Sequence, residues 1–235
     1  MTVVLDRRAD ITPDVFTRVA WQGEPVALGA RAKATMQAAR QSFLQLIDEP
    51  DVVIYGVTTG YGHHASKRLN HEERKAQARR PPGAMSSFGE PLPERVVRGI
   101  VLARLTNFIE GHAAITPALA EAVAESLRQP LPPVPCLGNG CPGEIQALSY
   151  LFLALARNFE LGEKDMLSLI NGSPCATALL ADGAAAARRR LRLALEVFAL
   201  SIEAFKAPLT HFDAALDAIW EDPYEADALQ GLRHW

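Results

Sequence analysis

The chain has 235 residues, 49% of them hydrophobic, and a formal net charge of −3 from 24 basic and 27 acidic side chains. That is enough for one large domain or two small ones with a substantial core, and the charge balance argues against nucleic-acid binding by bulk electrostatics. Cys136, Cys141 and Cys175 lack metal-ligand spacing and imply no disulfide framework. The N-terminus has no apolar stretch of the signal-peptide kind, and no run approaches the ~18 apolar residues of a membrane span. These features predict a soluble cytoplasmic protein with no membrane or nucleic-acid partner and no bound metal.

Helix signals dominate in chain order. Thr12-Pro13 sets a capping hydroxyl before a proline at the first helical position. "DVVIYGV", Asp51 to Val57, is the one convincing β-rich stretch and predicts a short strand. From Glu94 to Ile109, Val97, Ile100, Val101, Leu105 and Phe108 recur at threes and fours, which predicts an amphipathic helix. Thr116-Pro117 opens another, through "ALAEAVAESL". Ile145 to Arg157 is almost wholly apolar and predicts a central, buried helix. Asp182 to Phe205 predicts a long helix with Leu191, Leu195, Phe198, Ile202 and Phe205 on one stripe, ending before Pro208. The loops "RRPPGAMSSFGEPLP" and "RQPLPPVPCLGNGCPG" are rich in proline and glycine and read as ordered. The expectation is a mainly α protein with residues 1–235 in a single domain and a short β-containing loop region.

Four collinear segments carry a resemblance. "YGVTTGYGHHAS", "FGEPLPERVVRGIVLARLTNFIEG", "PVPCLGNGCPGEIQALSYL" and "LSLINGSPCATA" resemble, in this order, segments of the aromatic amino-acid ammonia-lyases and related aminomutases, the family that includes histidine ammonia-lyase. Any one alone is weak; four in register are specific. The resemblance implies the N-terminal, helix-rich half of the ammonia-lyase fold. In that family an internal Ala-Ser-Gly tripeptide cyclises, loses two waters and becomes an electrophilic methylidene-imidazolone (MIO). A tyrosine in the first loop serves as base.

Aligned on that pattern, the tripeptide here is Cys141-Pro142-Gly143, followed by Glu144 where the family has aspartate. Proline has no β-hydroxyl to eliminate, and its nitrogen is tertiary and ring-locked. The expectation is therefore that MIO does not form and that no cofactor is present. The family's specificity histidine aligns with Ala84, within "RRPPGA", where two prolines are expected to break the local helix. The segment between Gly143 and Asn171 is shorter than the family's. The sequence ends at Trp235, ahead of the helices from which the resemblance implies a second tyrosine, a carboxylate-binding arginine and a tetramer bundle.

Tyr55 occupies the base position, as a general base or as a structural tyrosine. Asn171 is a candidate ligand contact or a turn residue before Ser173-Pro174. Gly62 and His63, with His64, share the Tyr55 loop and are candidates for substrate contact or acid–base work. Arg79 and Arg80 lie at the specificity wall, as anion partners or surface charges. Cys141 is a candidate reactive thiol ahead of a helix.

The leading expectation is a MIO-lacking relative that binds or transforms a small amino-acid-like or aromatic acid molecule. Tyr55 would abstract a proton without a covalent amine adduct. The alternative is a non-catalytic partner or scaffold subunit, as a homo-oligomer or with a second lyase-like chain. A third is an ammonia-lyase proper, which needs a serine near the turn; between Pro130 and Tyr150 only Ser149 is available.

Overall fold

A computed structural model describes residues 1–79, 85–140 and 142–235. The chain divides into two compact units, Met1–Asp182 and Gly183–Trp235.

The first unit runs β1 (Val3–Leu5), α1 (Pro13–Ala20), β2 (Val26–Leu28), α2 (Ala30–Ile47), α3 (His71–Ala78), β3 (Phe88–Pro91), α4 (Glu94–Ile109), α5 (Pro117–Glu125), β4 (Pro135–Leu137), α6 (Ile145–Ala156) and α7 (Asp165–Ile170). It ends on the opening of α8 (Pro174–Phe205). The strands form two small pairs: β1 with β2, parallel, and β3 with β4, antiparallel, with Phe88 opposite Leu137 and Pro91 opposite Pro135. The protein is mainly α, as predicted.

α4 is the core helix. Ile100, Val101, Leu105 and Phe108 are fully buried, and α1, α2 and α5 pack around it. Gly99 allows the closest approach: a Cβ there would lie 3.0 Å from the Phe16 ring and 3.3 Å from the Ala178 methyl. Arg98 is buried in the same helix and joins three carbonyls, those of Val19 at 2.7 Å, Leu127 at 3.0 Å and Glu24 at 3.0 Å. Burial lowers its pKa, and the three acceptors replace the water it has lost.

Thr12 caps α1 as its sequence predicts, its hydroxyl accepting from Val15 N at 3.2 Å. Thr116 does not cap α5. Its hydroxyl donates to the buried Asp165 carboxylate at 2.7 Å, and its amide donates to the same group at 2.8 Å. The predicted strand at "DVVIYGV" is a correction: Val52 to Ile54 are irregular, and Tyr55 to Val57 form a turn. The Ile54 carbonyl accepts from the amides of Val57, Thr58 and Thr59, and the Thr58 hydroxyl accepts from Ile54 N at 2.7 Å. Those bonds use the groups a strand ladder would need.

The second unit contains the remainder of α8, then α9 (Ala215–Trp220) and α10 (Pro223–His234). Asp222 caps α10, accepting from Tyr224 N at 2.8 Å and Glu225 N at 3.1 Å. The long helix starts at Pro174 rather than Asp182, with proline in its first turn. Of its predicted apolar stripe, Leu191, Phe198 and Phe205 are exposed.

Candidate functional site

The turn between β4 and α6 is fixed at its start by Asn139. Its side-chain amide donates to the Pro135 carbonyl at 2.8 Å and its oxygen accepts from the Ser87 hydroxyl at 2.6 Å. The turn then passes through two consecutive left-handed residues, Gly143 (φ +70°) and Glu144 (φ +56°). Glycine meets this conformation without strain; for a residue with a Cβ it costs about 1–2 kcal/mol. The Glu144 carboxylate supplies compensation. One oxygen accepts from Cys175 N at 2.6 Å and the other from Ala176 N at 2.9 Å, so the turn caps the N-terminus of α8.

Gly143 faces Asn171. A Cβ on Gly143 would stand 2.8 Å from Asn171 Oδ1. Asn171 ends α7, where its backbone and side-chain N–H groups both donate to the Leu167 carbonyl, at 3.1 and 3.2 Å. Its own carbonyl accepts from Arg104 Nη1. Arg104 is buried on α4, its guanidinium 5.2 Å from the Phe108 ring centroid and its Nε without a hydrogen-bond partner. Burial pushes its pKa down to about 10, opposed by the nearby Cys175 thiol and Glu144 carboxylate.

Arg104, Glu144 and Cys175 were not candidates from sequence. One signal was present: Arg104 interrupts the apolar face formed by Ile100, Val101, Leu105 and Phe108, and a charge in that stripe calls for a buried partner. The reach of Glu144 to α8 left no local signal.

Tyr55 and Gly62 are brought together in the first loop, the phenol oxygen accepting from Gly62 N at 2.9 Å. Tyr55 is 59% exposed. His63 and His64 follow in a short 3-10 turn, exposed, with ring centroids 3.8 Å apart. The loop is anchored from below. Gln77 of α3 donates to the carbonyls of Gly56 at 3.0 Å and Thr59 at 3.1 Å, and Val57 packs in a small cluster with Leu167. Leu167 thus supports the Tyr55 loop with its side chain and Asn171 with its carbonyl. Among the described residues no hydrogen bond joins Tyr55 to Asn171.

The structure thereby makes two groupings of the predicted residues: Tyr55 with Gly62 and His63, and Gly143 with Asn171. Ala84, Cys141 and Arg80 lie outside the described residues, as does the expected helix break at the two prolines. Pro142 contributes its backbone to the turn. Arg79 pairs with Glu160 at 2.7 Å on the surface. Ser149 lies inside α6, fully buried. Among the described residues no three His, Cys, Asp or Glu side chains converge as a metal site.

Comparison with known proteins agrees with the four motifs. Residues 11–235 match the family described as aromatic amino acid lyase. Histidine ammonia-lyase from Paracidovorax citrulli is 31% identical over 225 residues, which take in 84% of this chain and 44% of the relative. The crystal structure of tyrosine aminomutase from Streptomyces globisporus superposes with a TM-score of 0.82 at 26% identity, covering all of this chain and 49% of that one. Histidine ammonia-lyase from Trypanosoma cruzi shares the fold, with a TM-score of 0.78 at 24% identity, over 99% of this chain and 50% of that one. The chain spans about half the length of the relatives it matches.

Proposed function

The chain belongs to the aromatic amino acid lyase family, and from that premise we propose that it binds or transforms a small amino-acid-like or aromatic acid molecule without the MIO electrophile. The observation that carries this reading is the turn itself. Gly143 lies against Asn171, which supports a retained ligand-facing corner, while the preceding residue is proline. Cyclisation requires a β-hydroxyl at that residue, and Pro142 has none. The one serine between Pro130 and Tyr150 in sequence, Ser149, is held within a helix.

In this reading Tyr55 is the proton acceptor. The residue is exposed to an incoming molecule, and its oxygen keeps a fixed donor in Gly62 N. A proton taken from carbon by that oxygen and returned to a neighbouring atom gives an isomerisation. One taken while a leaving group departs gives an elimination. Neither needs an amine adduct. Asn171 Oδ1 and the backbone at Gly143 would orient the ligand, with Arg104 holding Asn171 in place. The test is titration of the chain with amino acids and aromatic acids. Binding weakened by Asn171→Ala and by Tyr55→Phe supports the reading; binding indifferent to both contradicts it.

A second reading is a non-catalytic partner or scaffold subunit. It is favoured by the exposed apolar side chains of α8, with Leu200 71% and Phe205 87% accessible. Exposed apolar side chains clustered in this way mark interaction surfaces. We therefore propose a homo-oligomer or a complex with a second lyase-like chain in either case. A cytoplasmic setting fits a sequence whose three cysteines have the spacing of no disulfide framework. Among the described residues no helix is long and apolar enough to cross a membrane.

A further inference from the structure

A cavity of about 400 Å³ lies in the first unit between the β3–β4 pair and α6. Its walls are apolar and stiff: Pro91, Pro133 and Pro135 on one side, Leu153 on the other. Tyr55, Gly143 and Asn171 do not line it, so it is separate from the face described above. Its size is that of a small-molecule site.

Two polar groups break this apolar lining. Ser149 is fully buried, lines the cavity, and its hydroxyl has no hydrogen-bond partner. A serine inside a helix ordinarily returns its hydroxyl to the carbonyl one turn back; this one does not, and an unpaired buried hydroxyl is unfavourable until something pairs with it. Arg157 lines the same cavity, is exposed, and has no ion-pair or hydrogen-bond partner for its guanidinium among the described residues. Ser149, Leu153 and Arg157 succeed one another at four-residue spacing along a single face. The two polar positions are therefore separated by about 12 Å of helix, a gap that an arginine side chain leaning toward the helix N-terminus would shorten. Tyr150 is not a competing donor, because its hydroxyl already donates to the Ser87 carbonyl at 3.0 Å.

We propose that this cavity is a second binding site, for a small hydroxyaryl carboxylate. The ring lies between the prolines and Leu153, its hydroxyl pairs with Ser149 Oγ, and its carboxylate pairs with Arg157. Proline walls suit a flat ring, since they offer no N–H to leave unsatisfied and little freedom to lose. The inference does not rest on Tyr55 or on the fate of the 141–143 turn.

Calorimetric titration of the full chain with 4-hydroxybenzoate, and with benzoate as its deoxy control, tests it. Saturable binding of 4-hydroxybenzoate is expected. Ser149→Ala should weaken it about tenfold, the equivalent of ~1.4 kcal/mol, and leave benzoate unchanged. Arg157→Gln should weaken both ligands. Ala154→Trp, at an exposed position on the cavity wall, should abolish binding and serves as a second probe should Ser149→Ala melt early. Absence of saturable binding overturns the proposal. So does saturable binding that Ala154→Trp leaves unchanged.

Discussion

Glu144 and Cys175 are joined across 31 residues of sequence by a 2.6 Å hydrogen bond from the Cys175 amide to the Glu144 carboxylate. The bond ties the turn before α6 to the first turn of α8. Removing the carboxylate leaves two helix-terminal N–H groups without their cap and leaves Glu144's left-handed backbone uncompensated. Glu144→Ala should therefore destabilise the first unit by about 1–2 kcal/mol. Urea denaturation followed by circular dichroism checks it, and an unchanged midpoint would show that the cap is not significant.

Gly143 combines a positive φ with a side chain 2.8 Å from where its Cβ would be. Gly143→Ala must displace Asn171 or distort the turn, at about 1–3 kcal/mol. Where the Asn171 amide orients a ligand, affinity should fall with stability in this variant. An Ala variant with unaltered melting would show that the turn is loose.

Much of this corner was hidden in the sequence, for identifiable reasons. α4 was legible because its apolar residues repeat every three to four positions around a buried helix. α2 was less so, because its stripe of Ala32, Met36, Phe43 and Ile47 is interrupted by Arg40, buried by donating to the carbonyls of Ala114 at 2.8 Å and Glu163 at 2.6 Å. "DVVIYGV" has the composition of a strand, yet local bonds to Ile54 and Thr58 hold it as an irregular segment and a turn. The beginning of α8 was obscured by Ser173-Pro174, which has the look of a turn and is a helix start. The candidate site was legible as a set of positions. Its joints, Arg104 to Asn171 and Glu144 to Cys175, are long-range and have no periodicity to announce them.

Among the described residues the phenol of Tyr55 makes one hydrogen bond, from Gly62 N. Tyr55→Phe should change stability by no more than about 1 kcal/mol. As the proton acceptor, its loss should lower turnover by about 10²–10⁴-fold. Steady-state rates on an identified substrate, paired with a melting curve, separate the two roles: early unfolding with unaltered binding would make Tyr55 structural.

Stability toward acid should involve the Arg18–Glu24 pair, 2.7 Å apart. Hydrogen bonding to the guanidinium holds the Glu24 carboxyl below its ordinary range. A carboxyl with a lowered folded-state pKa contributes stability that is complete above its unfolded pKa and disappears as pH falls through the folded value. The melting temperature should therefore decline below the usual glutamate range, and Glu24→Gln should flatten that decline. A variant with the same acid limb as wild type would contradict the assignment.

Cys141-Pro142-Gly143 is predicted to remain an ordinary linear peptide in a chain of this family. Intact-mass measurement, with fragmentation across residues 139–144, tests it most directly. The predicted result is the mass calculated from sequence, and a near-ultraviolet spectrum that borohydride leaves unchanged. A mass two waters lower, located in this turn and accompanied by a near-ultraviolet band that borohydride removes, would contradict it.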